Sequence, residues 1–268
     1  MALWFALLLG LVQGAAEFLP ISSSGHLALL QAFFPALAPE EGLLFEVLLH
    51  LGTLCSLTVV YRRELRGLLR ALLPQSGNDG KAGRRLLGLL LLGTLPLGLI
   101  LPLKGWIERF CGDTAFIGGA LLLNGAMLYI SDKLIAGRKG LSSAKAGDAL
   151  LVGFTQAFAA LPGISRSGST VTAGVLAGLR RQDAVGFSFL LSFPAVLGAC
   201  LVKLWEALRA GFDQALLLPA LAGAGAAALS GLLAIRLVQS LAQRGKFRTF
   251  AYYCWAVGLS TIIASILT

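Results

Sequence analysis

Residues 10–26, GLVQGAAEFLPISSSGH, and residues 153–169, GFTQAFAALPGISRSGS, are two versions of one motif. An offset of 143 positions carries Gly10 onto Gly153, Gln13 onto Gln156 and Ile21 onto Ile164. It also carries Ser22, Ser24 and Gly25 onto Ser165, Ser167 and Gly168. The differences hold the chemistry. Glu17 stands where the second copy has Ala160, Ser23 where it has Arg166, and His26 where it has Ser169. One copy bears the acid and the imidazole, the other the fixed positive charge. Both are polar islands in very apolar surroundings, where polar groups are costly and usually functional.

Those surroundings set the class. The mean hydropathy is +0.82, and 13% of the 268 residues are charged, against about 25% in a soluble domain. Apolar runs long enough to cross a bilayer recur, so the chain reads as a polytopic, all-α integral membrane protein. Open sheets cannot span lipid, and the alternation a barrel needs is absent. The net charge of +9 does not argue for nucleic acid, because the basic residues lie in short connections between apolar segments. Cys55, Cys111, Cys200 and Cys254 are scattered, without metal-ligand spacing or a disulfide framework. The first apolar run lacks a basic start and leads into the polar motif, unlike a cleavable signal.

Residues 3–19 stop at Pro20, and residues 27–38 are apolar but too short to cross. Two short arms around a Ser/Gly break suggest a re-entrant helical hairpin, tolerated where protein or water surrounds the bare backbone. A second hairpin has arms near 149–162 and 169–180. Spans are expected at 43–61, 86–103, 115–131, 185–204, 214–236 and 249–267, giving six transmembrane helices and two hairpins. The 62–85, 132–148 and 236–248 connections are rich in Lys and Arg, whereas 104–114 and 205–213 are poor. The positive-inside rule places the rich ones in the cytoplasm and both termini outside. Three spans per half is odd, so the halves enter the membrane in opposite senses. The expectation is one membrane domain, residues 1–268, built as an inverted-topology repeat of 1–140 and 141–268, with the two tips meeting in the membrane. FEVLLHLG at 45–52 and FSFLLSFP at 187–194 are a second matched pair, in which Glu46 and His50 face Ser188 and Ser192.

The tips suggest an anion site. Gln13 and Glu17 lie four apart on one helix face. Ser22, Ser23 and Ser24 suit the N-cap of the following arm, which would aim N–H groups and a positive helix end into the site. Ser165, Arg166, Ser167, Gly168, Ser169 and Thr170 repeat this, and Arg166 adds a planar guanidinium matched to phosphate oxygens. The ligand is read as a phosphate or diphosphate. Ser23 is a weak nucleophile until a base takes its proton, and Glu17 or His26 can serve. Phosphoanhydride hydrolysis depends mainly on positioning and charge neutralisation, here assigned to Arg166 and a divalent cation on Glu17. Ser and Gly also serve plain helix packing, and Glu46 and His50, four apart, can support each other structurally.

QGAAEFLPISSSGH and PGISRSGST resemble the two signatures of the bacterial undecaprenyl-diphosphate phosphatases of the BacA/UppP type. Gln13, Glu17, Pro20, Ser22, Ser23, Gly25 and His26 match the first, and Pro162, Gly163, Ser165, Arg166, Ser167 and Thr170 the second. The resemblance covers essentially the whole chain. Gln13 stands where many members carry Glu, which touches a two-carboxylate metal site. The resemblance implies hydrolysis of undecaprenyl diphosphate to the monophosphate and inorganic phosphate, recycling the carrier lipid for cell-wall (peptidoglycan) synthesis and conferring bacitracin resistance. It implies dependence on Mg²⁺ or Ca²⁺, a multi-pass protein of the bacterial inner membrane with a site facing the periplasm, and a homodimer. The residues so assigned are Glu17, Ser23, His26 and Arg166 as catalytic, Glu17 also as metal ligand, and Gln13, Ser22, Ser24, Gly25, Ser165, Ser167, Gly168 and Thr170 as substrate-binding. Which of Ser23, His26 or water attacks stays open. A second class is a transporter or flippase for a lipid phosphate, since paired hairpins in inverted repeats are a transporter architecture. A passive anion channel is a third, disfavoured by the intramembrane Glu17.

Overall fold

Leucine-rich runs punctuated by Gly and Pro become helices throughout the computed structural model, which describes residues 2–37, 43–73, 77–134, 137–211 and 214–267. In chain order they are α1 (Leu3–Phe18), α2 (Ser23–Phe33), α3 (Leu43–Val60), α4 (Arg62–Ala71), α5 (Gly77–Thr94) and α6 (Lys104–Arg109). Then come α7 (Thr114–Lys133), α8 (Ala146–Phe158), α9 (Arg166–Leu176), α10 (Arg181–Ala210), α11 (Leu217–Arg244) and α12 (Arg248–Leu267). Among the described residues the sole β feature is an isolated bridge between Lys139 and Leu179. Among the described residues six stretches are long and apolar enough to cross a membrane: Leu43–Val60, Gly80–Ile107, Thr114–Lys133, Arg181–Arg209, Leu217–Arg244 and Arg248–Leu267. They fall on the six expected spans. The tips of the 62–85, 132–148 and 205–213 connections, and Ala38 at the end of the first hairpin, lie outside the described residues.

The second span is not one regular helix. Pro96 and Pro102 lack N–H groups and crowd the preceding turn, and Leu95–Leu103 is wound as a 3₁₀ segment. The 62–85 connection also carries a helix. Its RRELRGLLRA stretch forms α4, with Leu68 and Ala71 buried beneath a row of arginines.

α1, α2, α8 and α9 have 16, 11, 13 and 11 residues, below the roughly 20 that cross a bilayer. α1 packs on α2, and α8 on α9. The contacts of one half recur in the other. A Cβ at Gly10 would lie 2.1 Å from the Gly223 carbonyl oxygen, and one at Gly153 would lie 2.4 Å from that of Gly93. Thus α1 lies backbone to backbone on α11, and α8 on α5. α3 meets α11 and α10 meets α5, while α3 and α10 also meet each other.

α10 is the most enclosed span, with 50% of its apolar window buried, against 22% for Gly80–Ile107 and for Arg248–Leu267. Its Phe187, Phe189 and Leu190 join Phe18, Leu57, Tyr61 and Ile235 in the largest core cluster. Phe18 meets Phe189 edge to face at 5.5 Å between ring centres, a favoured aromatic geometry. Leu218, Leu229, Leu233 and Ile266 are exposed on the outside, where a lipid-facing surface needs them. At one end Asp132 takes hydrogen bonds from Arg181 Nη1 (3.0 Å), Phe247 N (3.1 Å) and Arg248 N (3.3 Å), which ties α7, α10 and α12 together.

Candidate functional site between the two tips

Each tip is an N-capped helix start after a proline. In the first, Ser22 Oγ accepts from Gly25 N at 3.3 Å and lies 3.4 Å from Ser24 Oγ. In the second, Ser165 Oγ accepts from Gly168 N at 3.1 Å and lies 3.1 Å from Ser167 Oγ. The match is residue for residue. The chain turns differently, however. Gly163 takes φ +92° in the second tip, whereas the first has proline at the matching position and puts the positive φ, 72°, on Ser22. A serine there is sterically unfavourable and is held by its own capping bond.

The tips touch. A Cβ on Gly25 would sit 3.0 Å from Gly163 Cα, and Ser167 Oγ donates to Leu19 O at 3.2 Å. Asn124, fully buried on α7, bridges them: its amide donates to Pro20 O at 2.9 Å and accepts from Ser165 N at 3.0 Å. Asn124 lies outside both motifs. An asparagine inside the 115–131 apolar run is itself the signal that would have found it.

Ser23 and Arg166 are the first residues of α2 and α9, and Glu17 lies between them. Ser23 Oγ donates to Glu17 Oε2 at 2.7 Å, Gln13 Nε2 donates to the same oxygen at 3.1 Å, and Arg166 Nη2 pairs with Glu17 Oε1. Arg166 Nη1 reaches Ser192 O at 3.4 Å. The acid of one copy and the cation of the other are thus joined in one cluster. Glu17 is 8% exposed, so it is buried as a pair and not alone, the condition under which buried charge is tolerated.

Glu17, Ser23, Ser24, His50, Arg166 and Lys203 line a cavity of about 320 Å³, walled otherwise by Val47, Leu97, Ala159, Ala160, Ala195, Val196, Ala199 and Cys200. A groove of about 550 Å³ adjoins it and shares Leu97, Ala160, Ala195, Ala199 and Lys203. Its remaining wall is mainly apolar, from Gly98, Ile100, Leu101, Ile107, Pro194 and Val202. The proline-broken second span and Pro194 of α10 therefore shape one side each.

The other candidates are placed outside this lining. Ser22, Gly25, Ser165, Ser167 and Gly168 build the turns. Thr170 Oγ1 bonds Arg166 O at 2.8 Å and Ser188 Oγ at 2.5 Å, tying α9 to α10. Gln13 stands behind Glu17, with its Oε1 buried and without a hydrogen-bond partner. His26 turns away from the cavity. Its Nδ1–H donates to Ser22 O at 2.8 Å, Nε2 accepts from Tyr253 Oη at 2.8 Å, and the two rings stack. His50 does reach the cavity. Its Nδ1–H donates to Glu46 O at 2.9 Å, which leaves Nε2 for the cavity side.

Fold and site define a multi-pass helical membrane protein with an internal acid–hydroxyl–guanidinium cluster beside an apolar groove. The chain belongs to the bacitracin resistance protein BacA family, whose model matches residues 6–260. It is 39% identical over 264 residues to an undecaprenyl-diphosphatase of Carboxydothermus hydrogenoformans, covering 96% of this chain and 95% of the relative. It is 40% identical over 259 residues to one of Syntrophotalea carbinolica, at 96% and 97% coverage. A relative of the same name from Methanosphaera stadtmanae is 37% identical over 275 residues, at 98% of both chains.

Proposed function

We propose that the protein hydrolyses undecaprenyl diphosphate to the monophosphate and inorganic phosphate in the bacterial inner membrane, and so lends bacitracin resistance. The observation that carries the chemistry is Ser23 Oγ donating at 2.7 Å to Glu17, whose other oxygen pairs with Arg166. A hydroxyl already bonded to a carboxylate is the activated-nucleophile arrangement, and the guanidinium beside it suits the phosphate under attack. Ser23 Oγ attacks the terminal phosphorus, its proton passes to Glu17, and the bridging oxygen departs with the lipid monophosphate. Water then attacks the phosphoserine, freeing phosphate and restoring the hydroxyl. The apolar groove takes the polyprenyl tail. Its position beside Lys104, Ile107 and Lys203, next to the Lys/Arg-poor connections, supports a site reached from the periplasmic side.

A divalent cation fits as an ion shared with substrate. Among the described residues no group of three His, Cys, Asp or Glu gathers to hold one, so the protein alone makes a poor cage. Glu17 and the unpartnered Oε1 of Gln13 would supply oxygens, and phosphate oxygens the rest, the usual arrangement for Mg²⁺. Bound there, it would neutralise phosphate charge.

The test is phosphate release from a C55 diphosphate by purified protein, with and without chelator, followed by a quench with β-³²P substrate. Release with label on Ser23 is expected. Label on His26 would reassign the nucleophile, and absence of release would sink the hydrolase reading in favour of lipid transport.

A further inference from the structure

The polar cavity and the apolar groove meet at five shared residues. Four are apolar, Leu97, Ala160, Ala195 and Ala199, and the fifth is Lys203. A lipid diphosphate in the site must follow the same order. Its tail lies in the groove, its terminal phosphate lies at Ser23 and Arg166, and the phosphate attached to the lipid lies between, at the junction. We propose that Lys203 holds this inner phosphate, the one the lipid keeps, and leaves Glu46 to do so. The inference rests on the hydrolase reading of the site.

Lys203 is suited to the exchange. Its ammonium pairs with the Glu46 carboxylate, and both side chains are about a third exposed, at 32% and 33%. A partly wetted pair of this kind contributes little, so a phosphate of higher charge competes well. The other cations near the cavities stand elsewhere along this path. Lys104 borders the groove but not the polar cavity, and Arg166 lines the polar cavity, where the terminal phosphate lies, but not the groove. Lys203 also remains in contact after hydrolysis, because the product keeps the phosphate it holds. Glu46 then acts as a competitor that helps the monophosphate leave.

Opposite effects of the two members of this ion pair test the proposal. Binding of farnesyl monophosphate to the full chain in nanodiscs is measured for wild type, Lys203→Met, Lys203→Arg and Glu46→Gln, with inorganic phosphate inhibition as a second readout. Lys203→Met is expected to weaken farnesyl monophosphate about 10- to 100-fold, the loss of a charge-assisted hydrogen bond. Lys203→Arg restores most of it, Glu46→Gln tightens it, and inhibition by inorganic phosphate is unchanged. If both Lys203→Met and Glu46→Gln weaken binding alike, the pair is structural and the proposal fails. Unchanged binding in Lys203→Met overturns it as well. Monophosphate binding requires no turnover. A wild type that binds farnesyl monophosphate through Lys203 but releases no phosphate would therefore sink the hydrolase reading, not this contact.

Discussion

Arg166 has to meet two demands at once. It neutralises Glu17 in a buried site, and it must turn toward an incoming phosphate. The guanidinium does both because separate nitrogens point in fixed directions, Nη2 to Glu17 and Nη1 to Ser192 O. A lysine keeps the charge but has a single nitrogen and no planar fork. Arg166→Lys is therefore expected to lower kcat/KM for lipid diphosphate by about 100-fold or more, the scale of losing one charge-directed donor, while the protein stays folded. Near-normal phosphate release from that variant would contradict a directional role. Residue scale is also where the sequence was least legible. Glu17, Ser23 and Arg166 stood out because ionisable and hydroxyl groups at matched hinges have few bland explanations. His26 stood in the same motif yet lies against Tyr253, and His50, outside both motifs, reaches the cavity. Which way a side chain leaves a turn depends on helices such as α12 that arrive from far along the chain.

Among elements, α1 and α8 are seated on their neighbours through glycines. A methyl at Gly153 would lie 2.4 Å from the Gly93 carbonyl oxygen, and one at Gly10 would lie 2.1 Å from that of Gly223. Backbone cannot step aside as a side chain can. Gly153→Ala is expected to push α8 off α5 and destabilise by about 1–3 kcal/mol, the usual range for overpacking. Gly147, on the same helix, has nothing within 4 Å of its would-be Cβ. Gly147→Ala should leave the melting temperature in detergent unchanged or slightly raised. Equal melting temperatures for the two variants would refute the close seating. The spans themselves were legible, because Leu-rich runs between basic connections leave little freedom at membrane depth. The proline-broken 3₁₀ stretch and the helix α4 within the 62–85 connection were not foreseen. Their prolines and arginines read as breaks and charge, while helical spacing in RRELRGLLRA was the overlooked signal. Asn124 shows the same limit. Its polarity was visible, but its role between Pro20 and Ser165 exists only once α7 is placed between the hairpins.

For the molecule as a whole, the direction it faces decides which leaflet supplies substrate. Arg62, Arg63, Arg66 and Arg70 lie on α4, with Arg84 and Arg85 just beyond on α5. The groove and cavity instead border residues beside the opposite connections, Lys104 and Ile107 on one wall and Lys203 on the other. If the arginine-rich end is cytoplasmic, as Lys/Arg bias dictates for short connections, the cavity mouth looks outward. Cys111 provides a native probe, since it is exposed in the 104–114 connection. Cys55 is also exposed but lies in α3, and Cys200 and Cys254 are buried. In a Cys55→Ala background, a membrane-impermeant maleimide added to intact cells is expected to label Cys111. In a Cys111→Ser, Arg63→Cys variant the same reagent should label only after the membrane is opened. Labelling of the Arg63→Cys site in intact cells would reverse the orientation. It would also move the cavity mouth to the cytoplasmic leaflet, and with it the side from which the lipid diphosphate must arrive.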